Sequence, residues 1–232
     1  MSKMDKKDVY KNLEGYKWNM VKIIVYITRK YGRIIMKKSL KGSKTLVNLM
    51  KSFAGESQAS MRYKYYAKQA EKEKYIQIRD IFLETSRNED QHAKRFYRFL
   101  NQQSDAETVE ITDSFPVHLD EKDTYTNLIA AAEGEHHETS SMYPEFEKIA
   151  REEGYDEIAD VFREVGEVEE AHEKRYRKLA ENIKEGTVFK KDHVVLWKCL
   201  NCGYVHEGKE APVVCPACAH PQGYFQVFKE EY

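Results

Sequence analysis

The sequence has 232 residues and contains no cysteine before Cys199, so disulfide bonds cannot crosslink its first 198 residues. It has no apolar run near the roughly 20 residues that a membrane-spanning helix needs, and its mean hydropathy is −0.76. A secretory signal is not evident either. These absences exclude a disulfide-stabilised main domain and favour a helical protein of the reducing cytoplasm without a membrane partner.

The formal charge is nearly balanced at −1 but is divided unevenly along the chain. Residues 1–35 contain nine Lys and Arg against three Asp and Glu, a net +6, which leaves −7 for residues 36–232. A mildly acidic body does not favour a nucleic-acid partner. The basic first segment permits a membrane-surface helix. We favour an extension upstream of a native start at Met36, because codons for Gly32 and Arg33 can form a ribosome-binding sequence.

Four stripes of apolar residues, with steps that alternate between three and four, predict four long helices. Their predicted bounds are 43 or 45 to 72, 75–102, 124–153 and 156–184. Residues 103–122 lack a helical period and are predicted to be a long crossover along a four-helix bundle, in which Val109–Ile111 is a candidate short strand. Pro144 is expected to kink the third helix, because proline removes a backbone hydrogen bond.

Acidic residues interrupt the apolar stripe of every predicted helix. Two helices carry Glu-x-x-His pairs, whose residues lie on one helix face at positions i and i+3. Each pair follows a lone inward glutamate, by 33 residues in the first half of the chain and by 34 in the second. Buried carboxylates without partners are costly and repel one another, so cations are expected among them. The candidate ligands are Glu56, Glu89, His92, Glu135, Glu169 and His172.

The two halves of the chain are a diverged repeat. When His92 is aligned with His172, the identical residues include those at 75, 78, 80, 82, 84 and 95, which match 155, 158, 160, 162, 164 and 175. Such repetition predicts two similar helical hairpins with a binuclear site between them. One glutamate from each of two helices, with Glu-x-x-His from each of the other two, is the ligand pattern of ferritin-like carboxylate proteins. This donor set suits iron or manganese.

Three further residues are predicted to lie near this set. Glu138 shares the helix face of Glu135 and is a seventh ligand candidate; the alternative is an acid that is hydrogen-bonded to a nearby tyrosine. Tyr63 and Tyr143 lie at or next to the inward faces. They are either packing residues or donors of a hydrogen bond to a ligand carboxylate or a bound peroxide. His136 and His137 point elsewhere on the helix and are not expected to be ligands.

All four cysteines form a second candidate metal site near the C-terminus. Two Cys-x-x-Cys pairs that are separated by twelve residues predict tetrahedral coordination by four thiolates. Zinc and iron both accept such ligands. The residues around the pairs, with Trp197 and Phe225 able to pack around the metal, favour the iron form known from rubredoxin. The predicted ligands are Cys199, Cys202, Cys215 and Cys218.

From Met36 to Tyr232 the chain resembles the rubrerythrin family. Besides the ligand pairs and the cysteines, the resemblance rests on SLKG at 39–42, AGESQA at 54–59, GEHHE at 134–138, MYP at 142–144 and HPQ at 220–222. It implies a basic extension over 1–35, a ferritin-like diiron four-helix bundle over 36–187, and a β-rich rubredoxin-like domain over 188–232. This would be a mainly α architecture with a small β-rich module.

The resemblance also implies an activity and partners. Members of the family are non-haem diiron peroxidases that reduce hydrogen peroxide to water in the oxidative-stress defence of anaerobes or microaerophiles. A homodimer or higher homo-oligomer is expected, in which the four-cysteine iron delivers electrons to the diiron site. The chain has no dinucleotide fingerprint, so the electron donor would be external, a rubredoxin or an NAD(P)H-dependent reductase.

Roles for the metal ligands follow from the same resemblance. It implies that Glu89 and Glu169 bridge two irons, that Glu135 and His172 serve one iron, and that Glu56 serves the other. The second iron would exchange Glu138 for His92 as its oxidation state changes.

The sequence departs from the family in two places. Ala219 and Lys74 stand where glycine is expected. A left-handed backbone at Ala219 is expected to destabilise the folded module by about 1 to 2 kcal/mol.

Two other functions are compatible with parts of the sequence. The helical half alone permits an iron-binding protein with ferroxidase activity. The cysteine module alone permits a zinc-stabilised interaction domain.

Overall fold

The computed structural model describes residues 38–103, 108–117 and 123–230. The predicted extension over 1–35 and parts of the predicted crossover lie outside these residues. Within the described part of the chain, no helix has both the length and the apolarity that crossing a membrane requires.

Helices α1 (Lys44–Lys72) and α2 (Ile76–Gln103) form the first hairpin, close to the predicted bounds. Ser43 caps α1, because its side chain accepts a hydrogen bond from the backbone N–H of Leu46. The turn into α2 passes through Lys74, whose φ is +67°. This left-handed conformation is the one that favours glycine at the end of a helix, which explains why glycine is expected there.

The second hairpin contains α3 (Thr124–His137), a π-helical segment (Glu138–Met142), α4 (Tyr143–Glu152) and α5 (Asp156–Lys184). We call the segment Glu138–Met142 the π turn. The bounds of α5 agree with the prediction, and residues 124–152 are helical throughout, close to the predicted 124–153. The π-helical segment within this span was not predicted, and a kink at Pro144 stays a prediction. The helical pattern changes before the proline, and Pro144 lies in the first turn of α4, where a missing N–H costs little.

The described part of the crossover, residues 108–117, lies along the first hairpin without forming a strand. Val109 packs against the apolar core, and Lys51 of α1 pairs with Asp113 at 3.5 Å. The candidate strand at Val109–Ile111 is therefore wrong. A strand needs a hydrogen-bonding neighbour, and the sheet within the described residues is formed by the C-terminal module alone.

Two apolar clusters fill the helical core. One is built from the start of α1, the end of α2, α4 and the start of α5, and includes Leu49, Phe96 and Phe162. The other is built from the opposite ends of the helices and includes Phe82 and Leu128. The candidate ligands occupy helix positions between these clusters. Apolar packing on both sides therefore keeps water away from the acids.

Strands β1 (Lys190–Cys199), β2 (Val205–Glu210) and β3 (Phe225–Val227) form an antiparallel sheet in the order β2-β1-β3. Trp197 and Phe225 are buried beside the cysteines, as predicted. This module packs on the turn between α1 and α2. The ring of Phe189 stacks on Tyr75 at 6.0 Å, and a Cβ at Gly223 would lie 2.0 Å from the carbonyl oxygen of Lys74, so only glycine fits there.

Candidate metal centres

The six predicted ligands of the helical domain come together in the middle of the bundle. The four glutamates are at most 2% exposed, His172 is buried, and His92 is half-buried. They are supplied by four helices, with Glu56 on α1, Glu89 and His92 on α2, Glu135 on α3, and Glu169 and His172 on α5.

Each imidazole faces carboxylates through its Nδ1 atom. Nδ1 of His92 lies 2.9 Å from Glu89 and 2.9 Å from Glu169. Nδ1 of His172 lies 2.7 Å from Glu169 and 3.3 Å from Glu89. Glu89 and Glu169 therefore present one oxygen to each imidazole, which is the arrangement needed by carboxylates that are shared between two cations.

The donor atoms form two overlapping groups, and within each group the atoms lie within 4.8 Å of one another. One group contains Glu56 and His92, and the other contains Glu135 and His172. Both groups contain Glu89 and Glu169. The geometry therefore matches two adjacent positions with two shared carboxylates.

Several of these buried atoms make close contacts within the cluster that lack the geometry of a hydrogen bond. They are Oε2 of Glu56, both carboxylate oxygens of Glu89, Oε1 of Glu169 and Nδ1 of His92. Buried polar atoms normally have partners, since leaving one unpaired costs about 1 to 3 kcal/mol. Convergent carboxylate and imidazole donors that lack hydrogen bonds fit bound cations, and this donor set suits iron.

The electrostatics of the metal-free cluster agree with this interpretation. Burial, followed by the charge of Glu169, raises the pKa of Glu56 to about 8. Burial also raises the pKa of Glu135. For His172, burial lowers the pKa, but hydrogen bonds to Glu169 and Glu89 outweigh it and raise the pKa to about 9. Without metals, protons therefore supply part of the positive charge that the carboxylates require.

Two tyrosines hold the lone glutamates from across the bundle. The Tyr63 hydroxyl donates a hydrogen bond to Oε1 of Glu135, and the Tyr143 hydroxyl donates one to Oε1 of Glu56. Burial raises the pKa of both phenols, so they remain donors at neutral pH. Gly166 of α5 permits this position of Tyr143, since a Cβ there would lie 3.3 Å from the Tyr143 Cβ.

Glu138 is the first residue of the π turn and lies outside the two four-residue groups. It is half-buried. Burial, followed by the charges of Glu56 and Glu169, raises its pKa, and the guanidinium of Arg62 acts in the opposite direction. The charges of the cluster therefore shift the pKa of Glu138, although this residue belongs to neither donor group. Its role as a ligand stays a prediction.

Two residues near the cluster were not predicted from the sequence. Nδ2 of Asn88 lies 3.3 Å from Nε2 of His172. Arg62 has a buried Nη1 atom that lacks a hydrogen-bond partner within the described residues. Neither residue has a diagnostic spacing, because both act on a residue of another helix. Outside the cluster, His136 is exposed and lies 3.1 Å from Glu173, so it is not among the converging donors.

The four cysteines converge in the C-terminal module. Sγ of Cys199 lies 3.7 Å from Sγ of Cys218, and the Sγ atoms of Cys202 and Cys215 are also 3.7 Å apart. A tetrahedron with metal–sulfur distances of about 2.3 Å has edges of about 3.8 Å. The thiols therefore already have the spacing of four ligands around one metal ion.

Backbone N–H groups and a left-handed residue shape the two cysteine loops. A hydrogen bond from the backbone of His220 lowers the pKa of Cys218 to about 6, which favours the thiolate form that binds metal. The N–H of Tyr204 likewise lowers the pKa of Cys202, but hydrogen bonds with the other thiols raise it to about 12. The left-handed backbone expected at Ala219 is confirmed, since its φ is +57°.

Comparisons with known proteins agree with both halves of this description. The family model for rubrerythrin matches residues 48–180, and the model for the rubredoxin-like domain of rubrerythrin matches residues 197–226. Rubrerythrin of Clostridium perfringens is 60% identical over 195 residues, which cover 84% of this chain and 100% of that protein. Rubrerythrin of Nitratidesulfovibrio vulgaris is 53% identical and covers 82% of this chain and 97% of its own length.

Solved structures give the same result. Nigerythrin in its fully reduced, all-ferrous state is similar with a TM-score of 0.54 and 31% identity, over 82% of this chain and 92% of that chain. A bacterioferritin from Desulfovibrio desulfuricans matches with a TM-score of 0.55 and 20% identity, over 62% of this chain and 82% of that chain. This second likeness concerns the fold of the helical domain.

Proposed function

The chain belongs to the rubrerythrin family, with a ferritin-like diiron domain and a rubredoxin-like four-cysteine domain, and we propose that it reduces hydrogen peroxide to water. The observation that carries this proposal is the presence of two different iron sites in one chain. A carboxylate-bridged pair of irons suits a two-electron reaction, and a four-thiolate iron suits the supply of single electrons. We place this reaction in cytoplasmic defence against oxidative stress.

We propose the following roles for the residues of the diiron site. Glu89 and Glu169 would be shared by the two irons, since both residues belong to both donor groups. Glu135 and His172 serve one iron. Glu56 would hold the other iron, with Glu138 and His92 as its alternative ligands in the two oxidation states.

Reduction of peroxide consumes two electrons and two protons and yields two water molecules. When bound, the two irons would supply the two electrons that this reaction requires. The protein controls the charge around them: the Tyr63 and Tyr143 phenols keep Glu135 and Glu56 oriented. The apolar clusters on both sides limit the entry of water.

Electrons are proposed to enter through the four-cysteine iron from an external donor, a rubredoxin or an NAD(P)H-dependent reductase. The module packs at the Lys74 end of the first hairpin. Glu89 lies 13 residues beyond Ile76 along α2, which is about 20 Å of helix. This separation within one chain supports delivery from the module of a second copy, and hence a homodimer or higher homo-oligomer.

Iron binding with ferroxidase activity is the alternative function, since the helical fold is shared with a bacterioferritin. The four-cysteine site argues against it, because ferroxidase chemistry takes its electrons from the ferrous iron that is being oxidised.

Cys199→Ser tests the proposal, because this change removes one buried thiolate of the electron-supplying site and leaves the helical domain untouched. Protein reduced chemically beforehand should still consume peroxide once. Continuous consumption supported by an electron donor should stop, while metal analysis still finds two irons in the helical domain. Continuous consumption at the normal rate would refute the proposed path of the electrons.

A further inference from the structure

The two histidines of the diiron site differ in what holds their outer nitrogen atoms. Both point Nδ1 towards the carboxylates. Nε2 of His172 lies 3.3 Å from the side-chain amide of Asn88. For Nε2 of His92, the described part of the chain offers no hydrogen-bond partner. The side chain of His92 is also more open, 15% exposed against 5% for His172.

This difference originates at one position of the internal repeat. Asn88 immediately precedes Glu89 in α2, and Val168 immediately precedes Glu169 in α5. The repeat therefore gives Asn88 and Val168 equivalent places on α2 and α5. Asparagine can donate and accept hydrogen bonds, whereas valine can do neither. One imidazole consequently has an outer partner and the other does not.

The chemistry of a metal-bound imidazole makes this partner important. When Nδ1 binds a metal, the proton of the neutral ring is on Nε2, which must donate a hydrogen bond. In the structure Nδ2 of Asn88 faces Nε2, so Asn88 would accept this hydrogen bond with its amide turned to exchange Oδ1 and Nδ2. Such an outer hydrogen bond fixes the orientation of the ring and makes it a stronger ligand.

We infer that Asn88 is a positioning residue that keeps His172 on its metal, and that Val168 leaves His92 as the histidine that can dissociate. This inference rests on the proposed roles of both histidines as ligands. It explains which of the two similar half-sites changes its ligands.

The experiment uses the full-length chain loaded with Zn²⁺, which is diamagnetic, and labelled with ¹⁵N at histidine. Hydrogen exchange at each Nε2–H is measured by NMR in the wild type, in the matched variants Asn88→Val and Val168→Asn, and in the conservative variant Asn88→Gln. The wild type should show a slowly exchanging Nε2–H at His172 and a rapidly exchanging one at His92. Asn88→Val should make His172 behave like His92, and Asn88→Gln should restore part of the protection.

Val168→Asn provides the decisive comparison, because it adds a hydrogen-bond partner instead of removing one. It should slow exchange at His92 and slow the release of Zn²⁺ to a chelator. Asn88→Val should weaken Zn²⁺ binding by about 10- to 100-fold. Equal exchange at both histidines in the wild type, or no response to either variant, would overturn the inference. Because peroxide is not used, failure of the proposed peroxidase activity would not affect this result.

Discussion

Tyr143 donates a hydrogen bond to Glu56, from the start of α4 in the second hairpin to α1 in the first. Tyr63 of α1 makes the reciprocal bond to Glu135 of α3. The two hairpins thus hold each other's lone glutamate. The pairing follows the internal repeat, but with one difference in spacing. Tyr63 follows Glu56 by seven residues, whereas Tyr143 follows Glu135 by eight.

The π turn accounts for this extra residue. A π-helical turn closes its hydrogen bonds from i to i+5, so it holds one residue more than an α-helical turn. The segment Glu138–Met142 lies between Glu135 and Tyr143 and allows both to keep their places in the repeat. The same insertion explains why 34 residues separate Glu135 from Glu169, where 33 separate Glu56 from Glu89. Glu138, which has no counterpart in the first half, begins this turn.

Tyr143→Phe should weaken the half-site that contains Glu56 and His92. The change keeps the ring and removes the hydroxyl, so a buried oxygen of Glu56 loses its donor and its orientation. We expect a loss of about 10- to 100-fold in metal affinity at that half-site, measured by competition with a chelator. Tyr63→Phe is the matched variant and should weaken the other half-site through Glu135. Unchanged metal affinity in both variants would show that the tyrosines only pack.

Deletion of Ser140 should convert the π turn into regular α-helix. Ser140 is exposed, and its removal restores the seven-residue spacing of the first half, so the helical content should remain. Glu138 should be displaced, and oxidation of the reduced protein by peroxide should slow by about 100-fold. The control is the same deletion combined with Glu138→Gln. If the π turn serves to position Glu138, the deletion should slow oxidation by peroxide little further in a protein that already carries Glu138→Gln. Fully additive losses of rate from the two changes would contradict this account.

The metal-free protein should lose stability as the pH rises from about 6 to about 9. The pKa of Glu56 is raised from 4.5 to about 8, so the folded state retains a proton that the unfolded state releases. The pKa of His172 is raised from 6.5 to about 9, so its favourable charge is also lost as pH rises through that value. Both effects have the same sign, because the folded state binds more protons than the unfolded state.

Bound metal should reverse this trend, since its ligands must be deprotonated. The melting temperatures of the metal-free and metal-loaded proteins should therefore move apart between about pH 6 and about pH 9. A constant difference across this range would argue against carboxylates that are held protonated in the metal-free cluster.

Ala219→Gly should stabilise the four-cysteine module by up to about 1 kcal/mol, because alanine is unfavourable at a φ of +57°. Gly203→Ala, at a φ of +80°, is the reverse change in the other cysteine loop and should destabilise the module by a similar amount. Denaturant unfolding followed by metal–thiolate absorption measures both effects. Destabilisation by Ala219→Gly would mean that the methyl group of Ala219 makes contacts that outweigh its backbone strain.

The sequence predicted the helices and the six converging ligands well, because apolar periodicity and acid on a buried face are local patterns. It placed α5 at its observed bounds, 156–184. The difference between 33 and 34 residues was visible, but Pro144 offered a simpler explanation for an irregular helix. A π turn has no comparable local signal, because it results from the tertiary need to keep Glu135 and Tyr143 in register.

The contact of Asn88 with His172 and the effect of Arg62 on Glu138 could not be predicted for a different reason. Spacing along one helix shows which residues share a face, but it does not show which residue of a facing helix they reach. The strand expected at Val109–Ile111 failed similarly, since local β preference does not supply a neighbouring strand.

The central claim, that the diiron site is built for peroxide, is tested most directly by oxidising the anaerobically reduced protein in a stopped-flow instrument. The all-ferrous form is mixed with hydrogen peroxide in one experiment and with dioxygen at the same concentration in another. The formation of ferric iron is followed in both. We predict that peroxide oxidises the site faster than dioxygen by at least about tenfold, or about 1.4 kcal/mol in activation free energy. Oxidation by dioxygen that is equally fast or faster would contradict the proposed function and favour a ferroxidase.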